Sequence, residues 1–373
     1  MRIGVATWFG SKNFGTNLQC YALCRYLQSC GHKVYLIQPF RHDRIGFIYK
    51  IRRTLGKVKR HFSHQKLSKK DLEIIKEYEN KYLTIYPLVT TKNGYKKLLD
   101  NFDCFFSGSD QIWNPFYLSS FFFLDFAGTK PRFAYASSLG VSEIPLEKSS
   151  VYKEELKHFK HIGVREKTGV DIVNQLLGEN KAVQVLDPTF LLSKDEWATF
   201  SKKTNLKNIQ PHSYMFLYLI GNREEYPNYV KKIQQHYNIS DIICVKSAEG
   251  GVYADATLIL DKISPMQFVY FLMNARLVCT DSFHATALSI NMNLNFVELL
   301  RFENADKQSQ NSRIYDLLNH YILSDRIYAG MELPNETIVY DRTNSILCKD
   351  REKSVNFIND CLHIVKVGLI CKK

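Results

Sequence analysis

A short apolar run that breaks at small polar residues and resumes as a helix is the pattern that most restricts this chain. Leu277, Val278 and Cys279 form such a run, and Thr280-Asp281-Ser282 break it. Ala287, Leu288 and Met292 then recur at helical spacing. The chain opens the same way, with a buried-type strand over 2–8 and a polar turn between Gly10 and Gly15. A helix over 16–30, closed by Gly31, and a second strand over 33–38 follow. Further strands are expected at 102–106, 132–136, 162–164, 183–186, 215–220, 241–245 and 295–299. Helical patterns fall at 71–83, 165–177, 226–236, 267–274, 312–321 and 354–369. Strand and helix in alternation predict an α/β fold with parallel sheets.

At 373 residues the chain is too long for one ordinary core. The proline after Asp187 and the run Ser193-Lys194-Asp195-Glu196 mark the change of domain. The expected division is a Rossmann-like domain over 1–192 and a second over 193–345, with 346–373 a helix packing back on either. A hydrophobic content of 45% and charged content of 23% suit a soluble globular protein. Fifty Lys+Arg against 37 Asp+Glu leave a formal charge of +13, which predicts an anionic partner. Nine cysteines without a C-x-x-C pair or regular spacing form neither a disulfide framework nor a zinc site. No leader precedes the first strand and no apolar run reaches membrane-spanning length, so a cytoplasmic location is expected. The segment 41–64 repeats Ile45, Ile48, Ile51, Leu55, Val58 and Phe62 every three or four positions among lysines and arginines. It is read either as a basic amphipathic helix on an anionic membrane face or as a helix with a solvated basic side.

His284 falls in the first turn of the helix after Thr280-Asp281-Ser282, with Ser282 at the N-cap position. A helix start just past a strand presents backbone N–H groups to anions, and an imidazole there adds a titratable proton. The other reading is a core histidine at a strand–helix corner. The turn 10–15 is not a P-loop, because Thr16-Asn17 stand where Lys-Ser/Thr is required. It and the small, polar loop 107–115 are candidates to line a crevice at strand ends.

Seven stretches, in order and spread over both halves, carry a resemblance. They are N-F-G-T-N-L-Q-C-Y-A-L (Asn13–Leu23), F-S-G-S-D-Q-I-W-N (Phe106–Asn114), Y-A-S-S-L-G (Tyr135–Gly140) and V-R-E-K-T-G (Val164–Gly169). V-L-D-P-T-F-L-L (Val185–Leu192), T-D-S-F-H-A (Thr280–Ala285) and N-S-R-I-Y-D-L-L (Asn311–Leu318) complete the set. Together they resemble the polysaccharide pyruvyl transferase family over about half of the chain. The stretches 41–81, 194–254 and the tail after Tyr321 are not covered.

The resemblance implies two Rossmann-like domains facing a cleft, similar to GT-B glycosyltransferases. It implies transfer of the enolpyruvyl group of phosphoenolpyruvate onto two hydroxyls of a sugar, giving a cyclic pyruvate ketal and phosphate. The setting would be bacterial surface polysaccharide synthesis, with a sugar or lipid-linked oligosaccharide acceptor at the inner membrane face. Arg165 and His284 match the family's central arginine and histidine. Arg313 falls near a position where many members carry lysine, after a stretch (301–310) longer than in compact members, and Ala285 replaces a common glycine. Arg165, Arg313, His284 and Ser282 are therefore expected at the donor, with His284 and Arg165 catalytic. Asn13, Asn17, Ser109 and Asp110 are expected on the acceptor side. For Arg165 the alternative is a surface salt bridge with Glu166; for Asp110, a turn cap. Asp281 reads as a cap or helix-orienting residue rather than a base. No cofactor or metal is expected. Rival readings are a GT-B-like nucleotide-sugar glycosyltransferase, an inactive scaffold of the same fold, and a nucleic-acid binder, which lacks any recognisable reading motif.

Overall fold

A computed structural model of the chain describes residues 1–42, 67–204, 209–248, 250–303, 311–334 and 337–371. The basic segment expected at 41–64 falls, from residue 43 onward, outside the described residues, as does the part of 301–310 beyond Glu303.

The first half contains β1 (Arg2–Ala6), α1 (Phe14–Ser29), β2 (Lys33–Leu36), α2 (Lys69–Tyr82), α3 (Lys92–Asn101) and β3 (Cys104–Ser107). It continues with β4 (Arg132–Ser137), α4 (Leu146–Lys157), β5 (His161–Val164), α5 (Lys167–Leu177) and β6 (Ala182–Gln184). The strands form one six-stranded sheet in the order β2-β1-β3-β4-β5-β6, all parallel. Four of its strands, β1, β3, β4 and β5, are almost wholly buried, as a sheet covered by helices on both faces requires.

After α6 (Lys194–Phe200) come β7 (Tyr214–Tyr218), α7 (Tyr226–His236), β8 (Asp241–Val245), β9 (Leu258–Leu260), α8 (Pro265–Met273) and β10 (Leu277–Thr280). Then follow α9 (Phe283–Asn291), β11 (Phe296–Leu299), α10 (Ser312–His320), β12 (Ile327–Tyr328) and α11 (Asp341–Ile370). The second sheet runs β12-β11-β10-β7-β8-β9, also parallel. Counted from β7, that is the 3-2-1-4-5-6 order of a Rossmann sheet, whereas the first sheet begins 2-1-3-4-5 as in flavodoxin-like folds. The α/β architecture with two parallel sheets expected from the alternation is the one observed.

The strand order fixes where a ligand can sit. In each sheet the order reverses at one point, between β1 and β3 and between β7 and β10. In open α/β sheets ligands bind at such points, outside the carboxyl ends of the strands. The residues following β1 and β3 are the 7–13 turn, which leads into α1, and Gly108-Ser109-Asp110; those following β10 are Asp281 to His284. One apolar cluster runs through both halves, including Phe14 and Tyr21 of α1, Trp197 and Phe200 of α6, Phe268 of α8 and Phe357 of α11. Phe14 stacks on Phe268 at 4.5 Å, and Tyr21 lies 4.3 Å from Phe200. The final helix starts earlier than its periodicity suggests and touches both halves. Its Ser354 accepts from the Leu186 N–H, and Thr343 donates to the Tyr321 carbonyl. Among the described residues no helix is long and apolar enough to cross a membrane.

Candidate active site

The 7–13 turn is built by its own side chains and the first turn of α1. Asn13 caps α1 by accepting from the Thr16 N–H. Asn17 accepts from the Gly10 N–H at 3.0 Å and donates to the carbonyls of Ser11 and Asn13. Both asparagines are thus engaged in holding the turn. Ser109 is fully buried and donates to the Ala136 carbonyl at 3.0 Å, with Asp187 Oδ2 at 3.3 Å. Asp110 does cap its turn, accepting from the Gln111 N–H. Its second oxygen also takes the Thr16 hydroxyl at 2.9 Å, tying the β3 loop to α1.

On the other side of the seam, Ser282 occupies the N-cap position of α9 but its hydroxyl makes no capping bond. The expectation of a serine cap is corrected: Thr280 Oγ1 takes the Ser282 N–H instead, which leaves that turn fastened from two residues further back. Asp281 accepts from the N–H groups of Ile220 and Gly221 and from the Tyr226 hydroxyl, at 2.6, 2.7 and 2.8 Å. It therefore fastens the loop after β7 to β10 rather than orienting α9. Burial raises its carboxyl, and the three donors oppose that rise.

Arg165 follows β5 and is buried, not on the surface. Its Nε donates to Glu166 Oε1 at 2.8 Å, its Nη1 to Asp187 Oδ2 at 3.0 Å, and Asp110 stands 4.0 Å away. The pairing with Glu166 expected as an alternative is present, but it leaves Nη2 buried with no hydrogen-bond partner. Burial works against the guanidinium charge, while Glu166, Asp187 and Asp110 more than restore it and hold Arg165 above the usual arginine range. Arg313, on α10 of the other half, is half-buried. Its guanidinium carbon lies 5.7 Å from the centre of the Phe283 ring, and that of Arg165 lies 4.2 Å from the same ring. Burial first, and then the charge of Arg165, lower Arg313 to about 10.

His284 stands between the halves. Its Nε2 is 3.5 Å from Asp187 Oδ2. Its Nδ1 lies against Gly15 of α1: a Cβ on Gly15 would stand 2.3 Å from that nitrogen. The glycine of N-F-G-T-N is therefore required by packing across the seam, not by its own backbone angle.

Asp187 is the residue that sequence reasoning missed as a site member. It was visible as the end of a strand before a proline and as part of the stretch Val185–Leu192, but nothing local to it indicates Ser109, Arg165 and His284 converging on one oxygen. It is buried, and Oδ1 accepts from the N–H and hydroxyl of Thr189 at 3.0 and 2.8 Å. Burial alone would raise its carboxyl, but His284, Arg165 and the Thr189 N–H hold it well below the usual carboxylate range. The arrangement unites an imidazole, two guanidinium groups from different halves and a fixed carboxylate. That set can bind a small polyanion and pass a proton. No cluster of three or more residues suited to holding a metal ion occurs among the described residues.

The sequence model of the polysaccharide pyruvyl transferase family matches residues 13–299. No curated protein matches the chain. Among solved structures, the UDP-N-acetylglucosamine 2-epimerase of Rickettsia bellii is similar with a TM-score of 0.45 at 10% identity, over 98% of this chain and 97% of that one. The UDP-GlcNAc 2-epimerase of Neisseria meningitidis, bound to UDP-GlcNAc, gives a TM-score of 0.46 at 9% identity, over 98% of this chain and 94% of that one. These likenesses are in fold alone.

Proposed function

The chain belongs to the polysaccharide pyruvyl transferase family, and from that we propose that it transfers the enolpyruvyl group of phosphoenolpyruvate to two hydroxyls of a sugar. The observation that carries this reading is the pair Arg165 and Arg313, brought from separate halves onto one Phe283 ring beside His284. Phosphoenolpyruvate bears a carboxylate and a phosphate on one small skeleton. The unpartnered Nη2 of Arg165 suits one such anion. An anion between the two guanidinium groups also offsets what lowers Arg313, burial first and then the charge of Arg165.

In this reading His284 gives a proton to the methylene carbon of the donor, C2 becomes electrophilic, and the first sugar hydroxyl adds to it. The proton of that hydroxyl returns to the imidazole. Phosphate leaves with the C–O bonding pair, steadied by Arg165 and Arg313, and the second hydroxyl closes the ketal. The second hydroxyl proton departs on the phosphate, so His284 ends as it began. Asn13, Asn17, Ser109 and Asp110 act on the acceptor side by fixing the shape of the two loops, since the contacts they make are within the protein. Ser282 lies at the donor through its place at the start of α9.

The test is incubation with phosphoenolpyruvate and a panel of free and lipid-linked sugars, reading phosphate release and a ketal-bearing product by mass. Turnover of nucleotide-sugars with none of phosphoenolpyruvate would sink the reading. The formal charge of +13 and the basic segment 41–64 support action at an anionic membrane face. Flotation with anionic liposomes should fall when Arg52, Arg53, Lys57 and Arg60 are changed to glutamate; equal flotation would remove that part.

A further inference from the structure

We infer that Asp187 and Gly15 assign separate tasks to the two ring nitrogens of His284: Asp187 is a positioning residue that holds Nε2, and Gly15 leaves Nδ1 as the atom that exchanges the proton. The inference rests on the reading above for what the proton is used for, but not for where it sits.

The carboxylate of Asp187 has no freedom to serve otherwise. Oδ1 is committed to the N–H and hydroxyl of Thr189, so Oδ2 is directed at Arg165, Ser109 and the imidazole. The turn that carries it is itself braced. The Thr189 carbonyl accepts from Asn291 of α9 at 2.8 Å and from Trp197 of α6 at 3.1 Å, and the Phe190 carbonyl accepts from Arg351 of α11 at 2.8 Å. A carboxylate fixed in this way stands 3.5 Å from Nε2, which is buried and makes no hydrogen bond to any other group, and its charge favours a proton on that nitrogen. The neutral ring then carries its lone pair on Nδ1. That atom faces the one position in α1 where the chain has no side chain, and any Cβ there would stand 2.3 Å away. The same division of tasks, with one ring nitrogen held by a carboxylate and the other free to react, governs carboxylate–histidine pairs in hydrolases.

The direct test is nitrogen-15 NMR of histidine-labelled protein, with His284→Gln identifying the His284 signals among the 11 histidines. The spectrum of the deprotonated ring, taken at a pH that titrates it, should show the remaining proton on Nε2; a remaining proton on Nδ1 overturns the inference. In Asp187→Asn, the Thr189 N–H claims the amide oxygen, so an NH2 group takes the place of Oδ2. It can donate to the ring but not accept, and the tautomer should invert, with kcat falling on the order of 10²-fold or more. An unchanged tautomer in folded Asp187→Asn counts against it. Should that variant fail to fold, the wild-type spectrum still decides. Gly15→Ala should keep the tautomer yet lower kcat at least about 10-fold; unaltered kcat would refute the role of Nδ1. The spectra need no substrate, so a failure to turn over phosphoenolpyruvate leaves this inference decidable.

Discussion

Arg165 and Arg313 share the Phe283 ring but hold their charges on opposite terms. Arg165 sits among Glu166, Asp187 and Asp110, which favour its charge despite full burial. Arg313 is penalised by burial and by Arg165 itself, and its charge is disfavoured in the folded protein. Substitution should therefore separate the two. Arg165→Met leaves three buried carboxylates, Glu166, Asp187 and Asp110, without the guanidinium between them, and a loss of about 3–5 kcal/mol in unfolding free energy is expected. Arg313→Gln removes a charge that the fold tolerates poorly, so its stability should match or exceed wild type. Its KM for phosphoenolpyruvate should rise at least about 10-fold, the equivalent of one charge-assisted hydrogen bond. Urea unfolding and steady-state kinetics on both variants check this. A destabilised Arg313→Gln with an unaltered KM would mean that the residue is structural.

Beneath α9 lies another buried carboxyl, Glu298 of β11, which meets the Thr286 hydroxyl; its Oε1 has no hydrogen-bond partner. Thr286 also donates to the Ser282 carbonyl at the start of the helix that carries His284. Burial pushes Glu298 well above the ordinary glutamate range, against a smaller opposing effect from Thr286. A carboxyl raised by folding contributes stability that is intact below its unfolded value, near about pH 4.3, and is lost as pH climbs toward the folded one. Glu298→Gln stays neutral throughout. It should match wild type at about pH 4 and exceed it by at least about 1 kcal/mol at pH 8, since one unit of raised pKa is worth that much. Thermal melts across that range check it, and a constant difference would mean that packing alone separates the two. Such a residue shows where reading from sequence stops. The run Phe296–Leu299 is legible as a strand because its neighbours are apolar, yet nothing in four letters says that its glutamate is wholly buried. The parallel strands were legible for the same reason, although the run 2–8 ends as a strand at Ala6, because the chain then turns toward the cleft. Helix α3 buries only Leu98 and α4 only Tyr152 and Leu156, too little apolar stripe for either to be read. Arg165 and His284 were found through motifs. Asp187 and Gly15 lie in such motifs as well but were given no role, because their roles exist only once residues far apart in the chain meet.

Across the whole molecule, the site and the core repeat one design, in which neither half is complete alone. Asp187 lies in the passage between the sheets and joins Arg165 of the first half to His284 of the second. The apolar cluster likewise passes from Phe14 and Tyr21 to Phe268 and Trp197 without a break at the seam. A core shared in this way couples the unfolding of the two halves, so heating should produce one calorimetric transition rather than two. A donor held between Arg165 and Arg313 binds only the assembled molecule and should raise that transition as a unit. At about 100 times its Kd, a ligand specific for the folded state adds about 2.7 kcal/mol. For a chain of this size that corresponds to a shift of at least a few °C. Phosphoenolpyruvate should give such a shift in the wild type and little of it in Arg313→Gln, which keeps the fold but lacks one of the two guanidinium groups. Two separate transitions, with only one moved by the donor, would show that the halves fold independently and that a single half holds the anion.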